Sequence, residues 1–94
     1  PLHGVFACEV RLADRFFTAA VNVGYKPTVT DEREALLEAH LLDFDEDLYG
    51  KTIEVIFRKK IRDERKFDGL DALKAQMSKD IDKVREMMEV PAAQ

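Results

Sequence analysis

The chain is short of the residues on which several kinds of chemistry depend, and each shortage excludes something. It has one cysteine in 94 residues. Cys8 therefore has no internal disulfide partner, which fits a reducing compartment and makes the cytoplasm the expected location. With only His3 and His40 beside that cysteine, a zinc centre lacks plausible ligands. Ser78 is the sole serine and lies within a helical pattern, so a serine nucleophile is not expected. Neither G-x-G-x-x-G nor G-x-x-x-x-G-K-[S/T] occurs, which removes both glycine-rich phosphate cradles. No apolar run approaches the roughly 20 residues of a membrane-spanning helix. The amino end, P-L-H-G-V-F-A-C, has neither a basic start nor a cleavage-like segment. Basic charge is also in deficit: a net charge of -4 and a pI near 5.1 argue against nucleic-acid binding through a broad basic face.

What remains is an ordinary globular composition, 46% hydrophobic and 36% charged, sized for one domain over residues 1–94. Gly4 to Leu12 alternates, with Phe6, Cys8, Val10 and Leu12 forming an apolar face, and predicts a strand half open to water. A short turn at Ala13–Asp14 leads to a second strand, Phe16–Val23, as a hairpin. Asn22 to Thr28, N-V-G-Y-K-P-T, is punctuated by glycine and proline and is expected to be a loop, followed by a polar segment to Glu34. Ala35–Asp43 is the third strand on length and flanks, although A-L-L-E-A-H-L-L also has helical propensity. Lys51–Ile61 is the fourth, with Ile53, Val55 and Phe57 on one face, joined to the third by a hairpin through D-E-D-L-Y-G. Leu70, Leu73, Met77, Ile81, Val84 and Met88 then recur at spacings of three and four, predicting a helix over about 69–89. Asp68 is the expected N-cap, Asp71 suits the first turn, and Pro91 marks the stop. Strands followed by one helix imply a mainly β barrel or meander closed on one side by that helix.

The densest chemistry lies in Glu38 to Gly50, E-A-H-L-L-D-F-D-E-D-L-Y-G. On a strand, residues two apart share a face, so Glu38 and His40 are neighbours. A partly desolvated carboxylate there has a raised pKa and can take a proton from a hydroxyl, which makes Glu38 the candidate base. Its competing explanation is a strand carboxylate that simply faces water. Asp43, Asp45, Asp47 and Glu54 match four positions of a calcium loop, but Leu48 stands where the sharp turn needs glycine. A hairpin turn explains that acidic cluster better. Residues 31–50 are acidic while Lys51 to Lys66 is basic, and solvated charge is the default explanation for both blocks.

Four segments, G-V-F-A at 4–7, N-V-G-Y-K-P-T at 22–28, the 38–50 motif and K-F-D-G-L-D-A-L at 66–73, together resemble riboflavin kinase. The resemblance is to the kinase module of bacterial bifunctional riboflavin kinase/FAD synthetases and covers nearly the whole chain. It implies a Greek-key antiparallel β-barrel, possibly incomplete, with a C-terminal helix. It further implies transfer of the γ-phosphoryl group of Mg²⁺-bound ATP to the 5′-hydroxyl of riboflavin, giving FMN. On this resemblance Glu38 is the catalytic base. Asn22, Gly24 and Pro27 belong to a flap near the nucleotide, and Asp68 and Leu70 lie where the family closes over the flavin ring. No side chain of the chain is assigned to the metal. The family's upstream P-T-A-N motif, which helps hold Mg²⁺ and phosphates, has no counterpart here, since the T-A-A of Thr18–Ala20 lacks its proline and asparagine. The expectation is a C-terminal part of a kinase module, with little activity alone and a strand edge open to self-association. An adenylyltransferase domain is the expected neighbour in the parent protein. Flavin binding without catalysis, or a purely structural role, is the alternative.

Overall fold

A computed structural model of the chain describes residues 3–27 and 33–91. Four strands, β1 (Gly4–Leu12), β2 (Arg15–Pro27), β3 (Arg33–Leu41) and β4 (Glu54–Arg62), precede one helix, α1 (Leu70–Met87). The strands form one antiparallel sheet in the order β3-β2-β1-β4. Three strands in succession, with a fourth returning beside the first, is Greek-key connectivity. The sheet is not closed into a barrel among the described residues.

The sequence-based elements are present, with three corrections. Asn22–Pro27 is not a loop but the second half of β2, paired with β3 from Asn22↔Glu38 to Pro27↔Arg33. Val23 and Tyr25 favour a strand, the ladder satisfies the backbone around Gly24, and Pro27 falls at the strand end, where its missing N–H is tolerated. Second, D-E-D-L-Y-G does not close a hairpin. It belongs to a connection that carries the chain from β3 at one edge of the sheet to β4 at the other. Third, Gly69 is the N-cap residue of α1, with no side-chain cap bond, so Asp68 does not cap it. The polar segment expected before Glu34 falls mostly on residues 28–32, outside the described residues, while Arg33 and Glu34 belong to β3.

The two faces of the sheet are buried by different means. On one, Phe6, Cys8 and Val10 of β1 pack with Ala19, Val21 and Val23 of β2, flanked by Ala39, Leu41, Val55 and Phe57. Phe6 and Phe57 meet edge to face at 5.3 Å, a favoured aromatic geometry. Burial pushes the Cys8 thiol up to about 11, so it stays an inert thiol at neutral pH. On the other face lies α1. Val84 is fully buried against Ala7, Ala20 and Leu42, with Ile61, Ile81 and Met88 around it. The small Ala7 and Ala20 leave room for the helix; Val5 and Ala7 are buried, and β1 is open to water on that face from Glu9 to Arg11.

Ion pairs fix the helix from both sides. Arg62 of β4 donates from Nε and NH2 to the two carboxylate oxygens of Asp80 at 2.9 and 2.7 Å, and Gln76 donates to the same carboxylate at 3.0 Å. Arg85 reaches Asp43 at 2.6 and 3.2 Å, just past the end of β3. Only the C-terminal part of the apolar stripe of α1 meets the sheet. Leu70 is 62% exposed and Leu73 37% exposed.

Candidate active site

Where the stripe stops touching the sheet, a cleft opens. Its enclosed volume is about 110 Å³, smaller than the roughly 300–1,000 Å³ of small-molecule sites, so it is a shallow cleft open to solvent. The sheet wall is set by register. Ala20 and Asn22 of β2 stand opposite His40 and Glu38 of β3, and all four line the cleft, so the expected pairing of Glu38 with His40 on one face holds. Glu38 is exposed at the rim, not desolvated as the sequence suggested, and His40 and Asn22 are half-buried. No ion pair or hydrogen bond joins Glu38 or His40 to another described side chain. Asn22 Oδ1 is a buried acceptor with no hydrogen-bond partner.

The opposite wall comes from the 62–67 segment and the first turns of α1. Phe67 presents an aromatic ring with the Arg65 guanidinium 4.8 Å from its centroid and that of Arg62 at 5.9 Å. Leu73 and Met77 add the apolar part of the helix stripe. Asp80 closes the floor. Burial pushes its carboxyl up, but the hydrogen bonds from Arg62 and Gln76, with the charges of Arg62 and Arg65, outweigh burial and hold it below the usual carboxylate value. The same carboxylate raises Arg62 above the usual guanidinium value, so this pair is charged at every physiological pH.

Glu64 lines the cleft and presses its carboxylate against the bare backbone of Gly24, where a Cβ would overlap it. Its Oε1 lies 3.1 Å from His3 Nε2, and the His3 ring stacks on Tyr25 with centroids 5.8 Å apart. Chemically, the cleft offers a free carboxylate, an imidazole and an unsatisfied acceptor facing a cation-flanked aromatic ring.

A family model described as flavokinase, riboflavin kinase, matches residues 1–88. The chain belongs to the riboflavin kinase family. It is 48% identical over 81 residues to the bifunctional riboflavin kinase/FMN adenylyltransferase of Escherichia coli (strain K12), covering 85% of this chain and 26% of that protein. It is 40% identical over 88 residues to an RNA-binding riboflavin kinase of Bacillus subtilis (strain 168), covering 94% of this chain and 38% of that one. A crystal structure described as a macrolide-efflux protein from Streptococcus pneumoniae superposes with a TM-score of 0.83 at 34% identity, over 90% of this chain and 28% of that one. The chain thus spans about a quarter of the length of the bifunctional relatives it matches. No helix among the described residues is long and apolar enough to cross a membrane.

Within this family the sequence-derived residues are distributed unevenly. Glu38 and Asn22 come together at the cleft. Gly24 lies two residues further along β2 and touches the cleft only through Glu64, and Pro27 ends that strand. Asp68 and Leu70 are both exposed and do not line it, although Phe67 before them and Leu73 after them do. Arg62, Glu64, Arg65, Phe67 and Asp80 were not singled out as site residues from sequence. The signal available for Asp80 was an acid beside the stripe formed by Met77, Ile81 and Val84, a position that demands a cation. Three of the four acidic residues in the 43–50 segment have specific partners. Asp43 pairs with Arg85, Glu46 with Arg15 at 2.6 Å, and Asp47 Oδ1 accepts from the Tyr49 backbone N–H at 2.8 Å.

Proposed function

We propose that the protein carrying this chain transfers the γ-phosphoryl group of ATP to the 5′-hydroxyl of riboflavin, giving FMN and ADP. The observation that carries this reading is the free Glu38 carboxylate at the rim of a cleft whose far wall is Phe67 flanked by Arg62 and Arg65. The flavin ring stacks against Phe67 and the helix side chains Leu73 and Met77, and its polyol arm runs along the sheet wall towards Glu38. A primary hydroxyl is a weak nucleophile at neutral pH. Glu38 accepts its proton as the oxygen bonds to the γ-phosphorus, and the bond from that phosphorus to the β–γ bridging oxygen breaks to release ADP.

Catalysis of this kind rests on positioning and on neutralising phosphate charge. Mg²⁺ enters with ATP as part of the co-substrate. No side chain of this chain is assigned to it. The Gly24–Pro27 end of β2 is taken as the nucleotide side, and Asp68 and Leu70 as an outer rim above the flavin, as the family resemblance implies. The remainder of the parent protein is taken to include an adenylyltransferase acting on FMN, and the cytoplasm is its expected location.

The test is FMN formation from riboflavin and Mg²⁺-ATP by the full-length protein, resolved by chromatography. Glu38→Gln should lower turnover by roughly 10²- to 10⁴-fold while largely sparing flavin binding. Full turnover in that variant would remove Glu38 from the mechanism. Quenching of riboflavin fluorescence without FMN formation by the wild type would reduce the domain to a flavin binder.

A further inference from the structure

Asn22 is an expensive residue where it stands. Asparagine is depleted from strands, yet Asn22 lies inside β2, paired on one side with Val5 and on the other with Glu38. A buried polar atom without a partner is destabilising, and Asn22 Oδ1 is such an atom. Valine there would suit the strand better and leave no orphan. The same strand shows that alternative one residue either way, on its other face, in Val21 and Val23. Asn22 lines the cleft, so a donor reaching that oxygen from the cleft would offset the cost.

The position narrows what the donor is. Directly opposed residues on antiparallel strands hold their Cβ atoms about 4.5–5.5 Å apart, so the Asn22 amide and the Glu38 carboxylate stand side by side. Each carries an acceptor oxygen, the amide beside its own N–H donors, and the unsatisfied atom is the amide oxygen. A phosphate, itself all acceptors at neutral pH, gains nothing from an amide oxygen beside a carboxylate. A polyol does, because each of its hydroxyls is a donor and neighbouring hydroxyls are spaced to meet neighbouring acceptors.

We propose that Asn22 Oδ1 accepts a hydrogen bond from a secondary hydroxyl of the ribityl chain, and so positions the terminal hydroxyl against Glu38. The inference rests on the flavin phosphorylation reading and deepens it. It moves Asn22 from the nucleotide side to the flavin side and makes it a positioning residue that selects for a hydroxylated arm. Glu38 takes the reacting proton, and Asn22 holds the carbon chain in register.

The experiment compares riboflavin with its 2′-, 3′- and 4′-deoxy analogues, by kcat/KM, in the full-length wild-type protein, Asn22→Leu and Asn22→Ser. The wild type should use one of the deoxy analogues roughly 10- to 100-fold less well than riboflavin. Asn22→Leu, of similar size but without an acceptor, should use riboflavin and that analogue equally. Asn22→Ser, which restores a hydroxyl acceptor, should recover part of the preference. A merely structural asparagine would lower both substrates together and leave their ratio at the wild-type value, which overturns the inference. So does a wild type that accepts all three analogues as well as riboflavin, a result that needs no variant to fold. A wild type that forms FMN but fails these comparisons leaves the kinase reading intact, whereas one that forms no FMN at all defeats both.

Discussion

The two faces of one sheet divide the labour of this domain, and β2 shows the division residue by residue. Ala19, Val21 and Val23 point into an apolar cluster with Phe6, Cys8 and Val10, where no charge is buried. Ala20, Asn22 and Gly24, in the alternate positions, face the helix side and carry the small residues, the orphan acceptor and the bare backbone of the site. β3 repeats the pattern, with Ala39 and Leu41 on the first face and Glu38 and His40 on the second. A strand's period of two lets neighbouring residues serve opposite demands, one face filled by apolar packing and the other left to line the cleft. The incomplete face needs its own support, which comes from charge pairs as well as packing.

Substitutions on the two faces should therefore separate activity from stability. Glu38→Gln carries the largest expected effect, a loss of turnover of roughly 10²- to 10⁴-fold. Glu38 is exposed and has no described side-chain partner, so its melting temperature should barely change. A matching loss of stability would break the division. Asp80→Asn should do the reverse in part. It leaves Arg62 without its counter-charge in a pair whose side chains are 20% and 7% exposed, at a cost of about 3 kcal/mol in denaturant unfolding. The effect has a definite sign with pH. The Asp80 carboxyl titrates lower in the folded state than in the unfolded chain, so its contribution is complete above about pH 4. It fades as pH falls through the folded value, and the gap between wild type and Asp80→Asn should narrow below about pH 4. A gap that stayed constant into acid would show that the ion pair is not its source.

Val21→Ala tests the opposite face. Val21 is fully buried, and removing two methyl groups should cost roughly 2 kcal/mol with kcat per folded molecule unchanged. A kcat that fell in step with stability would mean that packing on the apolar face sets the geometry of the site.

The division was only half legible in the sequence. Strands and helix declare themselves through periodicity, which is local, so β1, β4 and α1 lie within a few residues of where alternation and the three-four spacing put them. Glu38 and His40 were legible for the same reason. What failed was non-local. Gly24 and Pro27 punctuate 22–28 like a loop, but ladder bonds to β3 outweigh that preference, and nothing nearby in the chain announces them. Since a tight turn and a long crossover share the same polar residues, D-E-D-L-Y-G looked like a hairpin. Asn22 meets Glu38 only through the β2–β3 register, and Arg62 meets Asp80 only once α1 has docked. Pairwise contacts of that kind leave a cost in the sequence, a polar residue in a strand or an acid beside an apolar stripe, without naming the partner.

Gly24→Ala should have the smallest effect and draws the boundary between the faces most finely. Gly24 lies inside β2, where alanine is preferred over glycine by about 0.5–1 kcal/mol. Its new Cβ, however, would overlap the Glu64 carboxylate, the movable end of a flexible side chain, which must swing away and loosen its contact with His3. The two effects oppose each other, so stability should stay within about 1 kcal/mol of wild type. Glu64 lines the cleft, and its displacement should weaken riboflavin binding by roughly threefold, under 1 kcal/mol, in a fluorescence titration. Unchanged binding would make Glu64 a bystander and set the limit of the site at Asn22. A stability loss well beyond that range would mean that Glu64 is held more firmly than its exposed position implies, and that the clamp of His3 and Glu64 on β2 belongs to the stabilising half of the molecule.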